Sequence, residues 1–445
     1  MKQYIATIIL FTVFGAGTSD AQELLDTKGA IEIALKNNLD IQIANSDLEV
    51  SKNNAHLLNS GFLPTLTGTS SANYGSDFSQ ENILLNGDVV EFNNIKSTNY
   101  RAGLDLSVTL FDGLGRKYNY KSLKETYGIT ELQVRETIEN TILNLFSVYY
   151  EVARLTENKV TLKETLQLSK DRLVRAHYQF EYGQGSKLDV LNAEVDVNTD
   201  SINLINANLA LENTKRDLNL VLNRELETRF DVDTAVRFVS GFNMDDIYAD
   251  IRENNASLLQ AERGLLVNEY DLKSRKGGFL PTVGLTGSYG WNQNVFDPNS
   301  IVNFNQLDKA NTISGSVVAS LTWNIFDGGT TMTNVNNAKV AYQRQQLTIK
   351  QTRLQVERDA INAWQSYQNA LYVFEAQKKN VTTNANNLGR TEEQFKLGQV
   401  TSVEFRQAQT NYLNAILAKN QAKYDAKNAE LQVLQISGQL LNVAF

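Results

Sequence analysis

Two hydrophobic periods alternate along this chain, and the same alternation occurs twice. Ile31, Ala34, Leu35, Ile41 and Leu48 recur at helical spacing behind Asp26 or Thr27, either of which can cap a helix over about residues 27–60. Gly61 stops it. The period then drops to two. Phe62, Pro64, Leu66, Gly68, Ser70, Ala72 and Tyr74 share one face, and Thr65, Thr67, Thr69, Ser71 and Asn73 the other; a second strand sets Leu104, Leu106, Val108 and Leu110 against Asp105, Ser107 and Thr109. The second half repeats the order. A helix over about residues 244–276 ends at Gly277-Gly278. Strands follow with Val283, Leu285, Gly287, Tyr289 and Trp291 on one face, then Val317, Ala319, Leu321, Trp323 and Ile325 against Ser316, Ser320, Thr322 and Asn324. Each run has the length of a tilted membrane strand, about 9–11 residues or slightly more.

Helical periodicity resumes after each strand pair, over about residues 114–182 and 330–397. Ile138, Ile142, Leu145, Tyr149 and Val152 step by four and three, as do Val356, Ala360, Ala363, Tyr367, Ala370 and Phe374, which predicts a coiled-coil seam. Such a helix is a rod on the order of 100 Å. Glycines mark a tight reversal at Gly183-Gln184-Gly185 and Gly398-Gln399. Return helices are predicted over about residues 186–223, with Leu188, Leu191, Val195, Ile202, Ile205 and Leu209 as the seam, and 402–441. The Tyr149-Tyr150 pair reads as seam packing. Residues 224–243 show no convincing period.

Landmarks tie the halves together. Gly61-Phe62-Leu63-Pro64-Thr65 returns as Gly278-Phe279-Leu280-Pro281-Thr282, Phe111-Asp112-Gly113 as Phe326-Asp327-Gly328, Asn37-Asn38 as Asn254-Asn255, and Gln179-Phe180 as Gln394-Phe395. Chance identities would not keep one order at one spacing of roughly 215 residues, so the chain reads as two internal repeats, 22–223 and 244–445, joined by 224–243.

Composition narrows the class. Met1-Lys2, an apolar run from Tyr4 to Phe14 and small residues up to Ala21 have the order of a secretory signal peptide over residues 1–21, with a frayed buried helix as the alternative. The absence of cysteine removes disulfides, Cys-metal sites and a lipid-anchored N-terminus. Only three prolines occur, so nothing interrupts the long helical stretches. A net charge of −8 without basic clusters gives no footprint for nucleic acid. For the strands, an apolar and an uncharged polar face fit lipid outside and water inside; a half-buried soluble sheet has the same alternation. Export, strand length and the terminal aromatics Tyr74, Phe111, Trp291 and Phe326 favour the membrane. The polar stretches 75–99 and 292–311 read as outer loops.

Four strands cannot close a barrel and such helical hairpins exceed a globule, so other copies must cover the edges. The duplicated order of helix, strand hairpin, long helix, glycine tip and return helix resembles the TolC-type outer-membrane efflux proteins. The tip carries the most specific likeness: Tyr178 to Ser186 followed by Lys187-Leu188-Asp189-Val190-Leu191-Asn192-Ala193. The resemblance implies a mixed membrane fold, a trimeric twelve-stranded β-barrel with four strands per chain, continued by a long α-helical coiled-coil barrel through the periplasm. It implies a passive channel-tunnel in the cell outer membrane, serving an inner-membrane transporter through a periplasmic adaptor, with no cofactor.

By position in that pattern, Asp189 and Glu404 are the acidic gate candidates at the tip and Lys187 is a candidate for pairing with them. Asn192 and Gln407 stand where the family has a further carboxylate, which puts a second acidic ring in doubt. Gly183, Gly185 and Gly398 are candidates for left-handed turn backbone and adaptor docking, and Leu106, Val108, Leu321 and Trp323 for lipid contact. The alternative for Asp189 and Glu404 is an ordinary first-turn acid favoured by the helix dipole. His56 and His177 lack metal-like partners, and no nucleophile elbow, phosphate loop or catalytic dyad supports an enzyme. The rival class is a secreted trimeric coiled-coil fibre or adhesin with a small barrel. Such proteins usually place strands at one terminus, whereas here strands recur in both halves.

Overall fold

The computed structural model describes residues 23–83, 87, 89–239, 243–296 and 309–442. The signal-peptide reading of residues 1–21 lies outside them, as does most of the polar stretch before β6. In chain order the elements are β1 (Glu23–Leu25), α1 (Thr27–Asn37), α2 (Leu39–Asn54), β2 (Thr65–Ile83), β3 (Val89–Asp112), α3 (Gly115–Glu181), α4 (Lys187–Val221), β4 (Phe230–Val232), α5 (Met244–Asn254), α6 (Ala256–Lys276), β5 (Thr282–Phe296), β6 (Lys309–Thr322), α7 (Thr330–Lys396) and α8 (Ser402–Ile436). Long helices α3 and α7 each have 67 residues, and return helices α4 and α8 each have 35. Among the described residues no helix is long and apolar enough to cross a membrane.

The four long strands form one antiparallel sheet in the order β2-β3-β5-β6. Its register aligns Leu66, Leu106, Gly287 and Val317 on one rung, and Gly68, Leu104, Tyr289 and Gly315 on another of the same face. The opposite face carries Thr67, Asp105, Ser288 and Ser316. Pairing therefore gathers the apolar positions of all four strands on one side. A bulge between Thr109 and Phe111 shifts the pairing, so Phe111 rather than Leu110 lies opposite Val283. The first polar stretch is not a loop: β2 and β3 stay paired from Gly75–Ser97 out to Ile83–Val89. Polar and apolar residues are mixed on both faces there, so no alternation announced the strand. Trp323 lies one residue beyond β6, and its indole Nε1 donates to Phe279 O at 3.1 Å.

Each helix expected before the strands is broken once, at an asparagine. Asn38 has extended backbone (ψ 132°), and its side chain accepts from Asp40 N and Ile41 N while donating to Val221 O at 2.9 Å. Asn255 repeats this, capping α6 through Leu258 N and donating to Ile436 O at 2.9 Å. One amide thus starts a helix and ties it to the end of a return helix.

A second departure is the joining segment. β4 pairs in parallel with β1, burying Leu25, Phe230 and Val232 against Ile142, Phe146, Tyr149, Leu218 and Leu434. Over residues 233–239 the chain has no sheet pairing, and α8 supplies its hydrogen-bond partners instead. Lys423 Nζ and Tyr424 OH donate to Thr234 O, Lys427 Nζ to Arg237 O, and the Glu430 carboxylate accepts from Val239 N. Tyr149 locks the ribbon: its hydroxyl donates to Leu25 O (2.9 Å) and accepts from Asp233 N (3.1 Å). Burial pushes this phenol up to about 12, so it stays a donor at neutral pH. Tyr149→Phe is expected to cost about 1–3 kcal/mol, because buried backbone groups lose their partner. An unchanged denaturation midpoint would remove the hydroxyl from this role.

The expected return-helix seam is on the wrong face. Val190, Ala193, Leu211 and Leu218 are the buried apolar residues of α4, and Leu188, Leu191, Val195, Ile202, Ile205 and Leu209 lie exposed. The face of α4 that carries the buried residues packs on α3, and the exposed stripe is left for another surface.

Candidate functional site

At the far end of the helices both hairpins turn through the same glycine geometry. Gly183 and Gly398 each adopt φ +72°, the left-handed conformation only glycine takes without strain, and the amides of Gln184 and Gln399 close back on Gln179 O (2.7 Å) and Gln394 O (2.9 Å). Gly185 differs from expectation: its φ is not positive. Its place is tight instead, since a Cβ there would stand 3.1 Å from Gln179 Cβ.

The return helices then open with capping boxes. Asp189 N donates to Ser186 Oγ at 3.2 Å while Asp189 Oδ2 accepts from Ser186 N at 3.2 Å, and Glu404 Oε2 accepts from Thr401 N at 2.7 Å. This is the first-turn arrangement that dipole and cap alone favour. Hydrogen bonds from Ser186 hold the Asp189 carboxyl below the usual carboxylate range, and those from Thr401 do the same for Glu404. The caps therefore contribute fully above the ordinary carboxylate range. They are lost as pH falls through the lowered folded values. Asp189 Oδ1 also accepts from Ser402 Oγ at 3.2 Å, which brings the starts of α4 and α8 together. Lys187 does not pair with an acid among the described residues; its Nζ stands 5.8 Å from the centre of the Phe180 ring. Asp189, Gly185, Gly398, Thr401 and Ser402 line a cavity of about 510 Å³ between the two hairpins.

Arg172, Asp196 and Arg406 line the same cavity and belong to a cluster that sequence reasoning missed. Asp200 is buried and accepts from Ser169 Oγ (2.6 Å), Arg406 Nη1 (2.8 Å) and Arg406 Nη2 (2.7 Å), and Asp196 joins Arg406 Nε (3.3 Å) and Arg172. Gln409 Nε2 reaches Ser169 Oγ at 3.4 Å. Burial, reinforced by the Arg406 charge, lowers the Arg172 guanidinium to about 10. The cluster binds α8 to the first hairpin. Asp196 and Asp200, four apart on one helix face, were the available signal, but their arginines sit on two other helices.

His56 caps a short 3-10 turn by accepting from Leu58 N at 3.2 Å, and His177 lies 3.8 Å from Glu194. Among the described residues no three His, Asp or Glu side chains converge as for a metal. The tip thus offers carboxylates, glycine turns and a cross-helix ionic lock, arranged around the ends of rods.

Residues 30–224 and 247–439 match the outer membrane efflux protein family. The chain belongs to that family. The outer membrane efflux protein BepC of Brucella suis is 21% identical over 444 residues, covering 99% of this chain and 91% of BepC. Escherichia coli TolC is 22% identical over 454 residues, with 99% and 87% covered. Among solved structures, the Campylobacter jejuni CmeC outer membrane channel superposes with a TM-score of 0.74 at 19% identity, over 93% of this chain and 86% of that one. Membership places this efflux-family chain in the outer membrane, with its helical part reaching into the periplasm.

Proposed function

We propose that the protein is a passive channel-tunnel: three copies close one twelve-stranded barrel and a continuous helical tunnel, through which solutes delivered by an inner-membrane transporter and a periplasmic adaptor leave the cell. The observation that carries this reading is a set of open edges that match. The sheet ends at β2 and β6, and the helical layer beneath it runs α2-α3-α6-α7, ending at α2 and α7. Ile43 and Val50 on α2, and Val340, Leu347 and Leu354 on α7, are exposed one heptad apart. Head-to-tail joining of β6 to β2 and of α7 to α2 of the next copy closes a ring and removes both edges of the four-stranded sheet. The units 22–223 and 244–445, each with a 67-residue and a 35-residue helix, then give the tunnel two similar walls per chain.

In this assembly the face bearing Leu106, Val108 and Leu321 meets outer-membrane lipid, with Trp323 at its periplasmic rim. The turns at Gly183, Gly185 and Gly398 present the docking surface for the adaptor. Asp189 and Glu404 from three chains line the mouth of the tunnel, where ionised carboxylates select and bind cations. Lys187, standing over Phe180, shapes the same turn.

Asp189→Asn with Glu404→Gln preserves size and most of the capping geometry while removing six charges from the trimer. In planar-bilayer recordings the variant is expected to lose cation preference severalfold and to be blocked less by divalent cations added on the periplasmic side. An unchanged selectivity ratio and unchanged block would overturn the gate assignment. A protein that forms no conducting trimer would overturn the channel itself.

A further inference from the structure

The strand register sets one arginine on the polar face of the sheet without a counter-ion. Arg101 of β3 lies between Ser71 of β2 and Asn292 of β5. On the same face the next rung away from the helices holds Asn99 and Asn294, and the next rung toward them holds Gly103 and Gly290. Every position adjacent to Arg101 on this face is uncharged. The nearest acid on this face of β3 is Asp105, four residues off, which is about 13 Å at roughly 3.4 Å per residue. Arg101 is exposed, and among the described residues its guanidinium joins no ion pair or hydrogen bond.

The amides beside it are arranged so that donors remain. Asn99 Nδ2 donates to Asn292 Oδ1 at 2.6 Å and also to Asn294 Oδ1. Both acceptors are thus engaged, while the Nδ2 groups of Asn292 and Asn294 donate to no group among the described residues. Asn292 is directly opposite Arg101 and Asn294 diagonal to it, a separation of about 7–8 Å that a long side chain spans. On the other side the wall is recessed, because Gly103 and Gly290 face each other without side chains and a Cβ at Gly103 would still stand 3.7 Å from Thr69 Oγ1. A guanidinium fork beside two amide donors matches the paired oxygens of a carboxylate.

We propose that Arg101, with the amides of Asn292 and Asn294, forms a subsite on the lumen wall of the barrel that takes the carboxylate group of a departing solute. This rests on the closed trimeric barrel proposed above. Neighbouring copies leave the subsite open, because β3 is flanked on both sides by strands of its own chain. Twelve strands about 4.8 Å apart at a tilt of about 45° enclose a radius of roughly 13 Å, so an arginine extended from the wall carries its charge to within about one Debye length, ~8 Å, of the axis. Three such arginines stand at one level, opposite in sign to the carboxylates of the tip. An anionic solute therefore meets its attractive charge near the exit.

Citrate added on the outer side of a planar bilayer tests this. With the wild-type protein it is expected to block the potassium chloride current at about 0.1 M salt and to lose its hold at about 1 M, where screening shortens to ~3 Å. Arg101→Gln is expected to weaken the block severalfold and to move the reversal potential in a salt gradient toward cation preference. Asn292→Asp can still accept from Asn99 but sets a carboxylate beside the guanidinium, so it fills the subsite from within and should weaken the block comparably. Thr312→Asp adds the same charge on the same rung, two strands from Arg101, and should weaken it much less. A conducting wild-type trimer that citrate does not block, an Arg101→Gln variant with block and reversal potential unchanged, or equal losses in the two Asp variants overturns the subsite and leaves the channel reading intact. A wild-type protein that forms no conducting trimer overturns both.

Discussion

Asp200→Ala is expected to destabilise the protein by roughly 3–5 kcal/mol, the range for removing one partner of a buried ionic pair. Its carboxylate is 2% exposed and accepts three hydrogen bonds, two of them from Arg406. Removing it leaves Arg406 on Asp196 alone, which already holds Arg172. Two guanidinium groups would then share one carboxylate. Arg172 has little reserve, since its Nε and Nη1 lack hydrogen-bond partners and burial already lowers its pKa. The compensating change is written at the equivalent places of the opposite repeats, about 215 residues away, where Ala415 corresponds to Asp200 and Leu191 to Arg406. Asp200→Ala combined with Arg406→Leu should therefore recover a large part of the loss, because no charge is stranded. Guanidinium unfolding of the two variants measures this directly. A double variant as unstable as the single one would show that Asp200 acts through something other than Arg406.

The parts of this fold that were legible in the sequence are those with a sustained period. Strand faces followed from alternation at Leu104, Leu106 and Val108, and the long helices from seams such as Ile142, Leu145 and Tyr149. The breaks at Asn38 and Asn255 were marked only by a repeated Asn-Asn landmark. The apolar period runs through them without a glycine or proline, and an N-cap needs just one residue with extended backbone. β1 and β4, at three residues each, are too short to show any period. The outer half of the β2-β3 hairpin was invisible because strand alternation requires two different environments. Periodicity also located the α4 stripe correctly and assigned it wrongly. An apolar face says that something covers it, and only the placement of Val190 and Ala193 showed that α3 does not. At the tip, Asp189 and Glu404 were found by position, whereas the Arg172, Asp196, Asp200 and Arg406 cluster spans three helices and needed coordinates.

The strand lengths also bear on where the centre of the barrel lies. β6 has 14 residues; at about 3.4 Å per residue and a tilt of about 45°, such a strand rises roughly 33 Å, slightly more than the ~25 Å apolar band of an outer-membrane barrel. The middle rung on the apolar face is then Gly68, Leu104, Tyr289 and Gly315, and Leu321 sits next to the last pair, Thr282 with Thr322. Leu104→Arg is accordingly expected to cost about 2–4 kcal/mol per chain, while Leu321→Arg, close to the interface, should cost about 0–1. Ser316→Arg, one residue from the middle but on the polar face, should be milder than Leu104→Arg, since that side chain has the aqueous lumen to enter. Chemical unfolding from lipid vesicles would rank the three. Equal losses at Leu104 and Ser316 would mean that the two faces are not lipid and water, and a larger loss at Leu321 than at Leu104 would put the bilayer centre nearer the helices than the strand lengths allow.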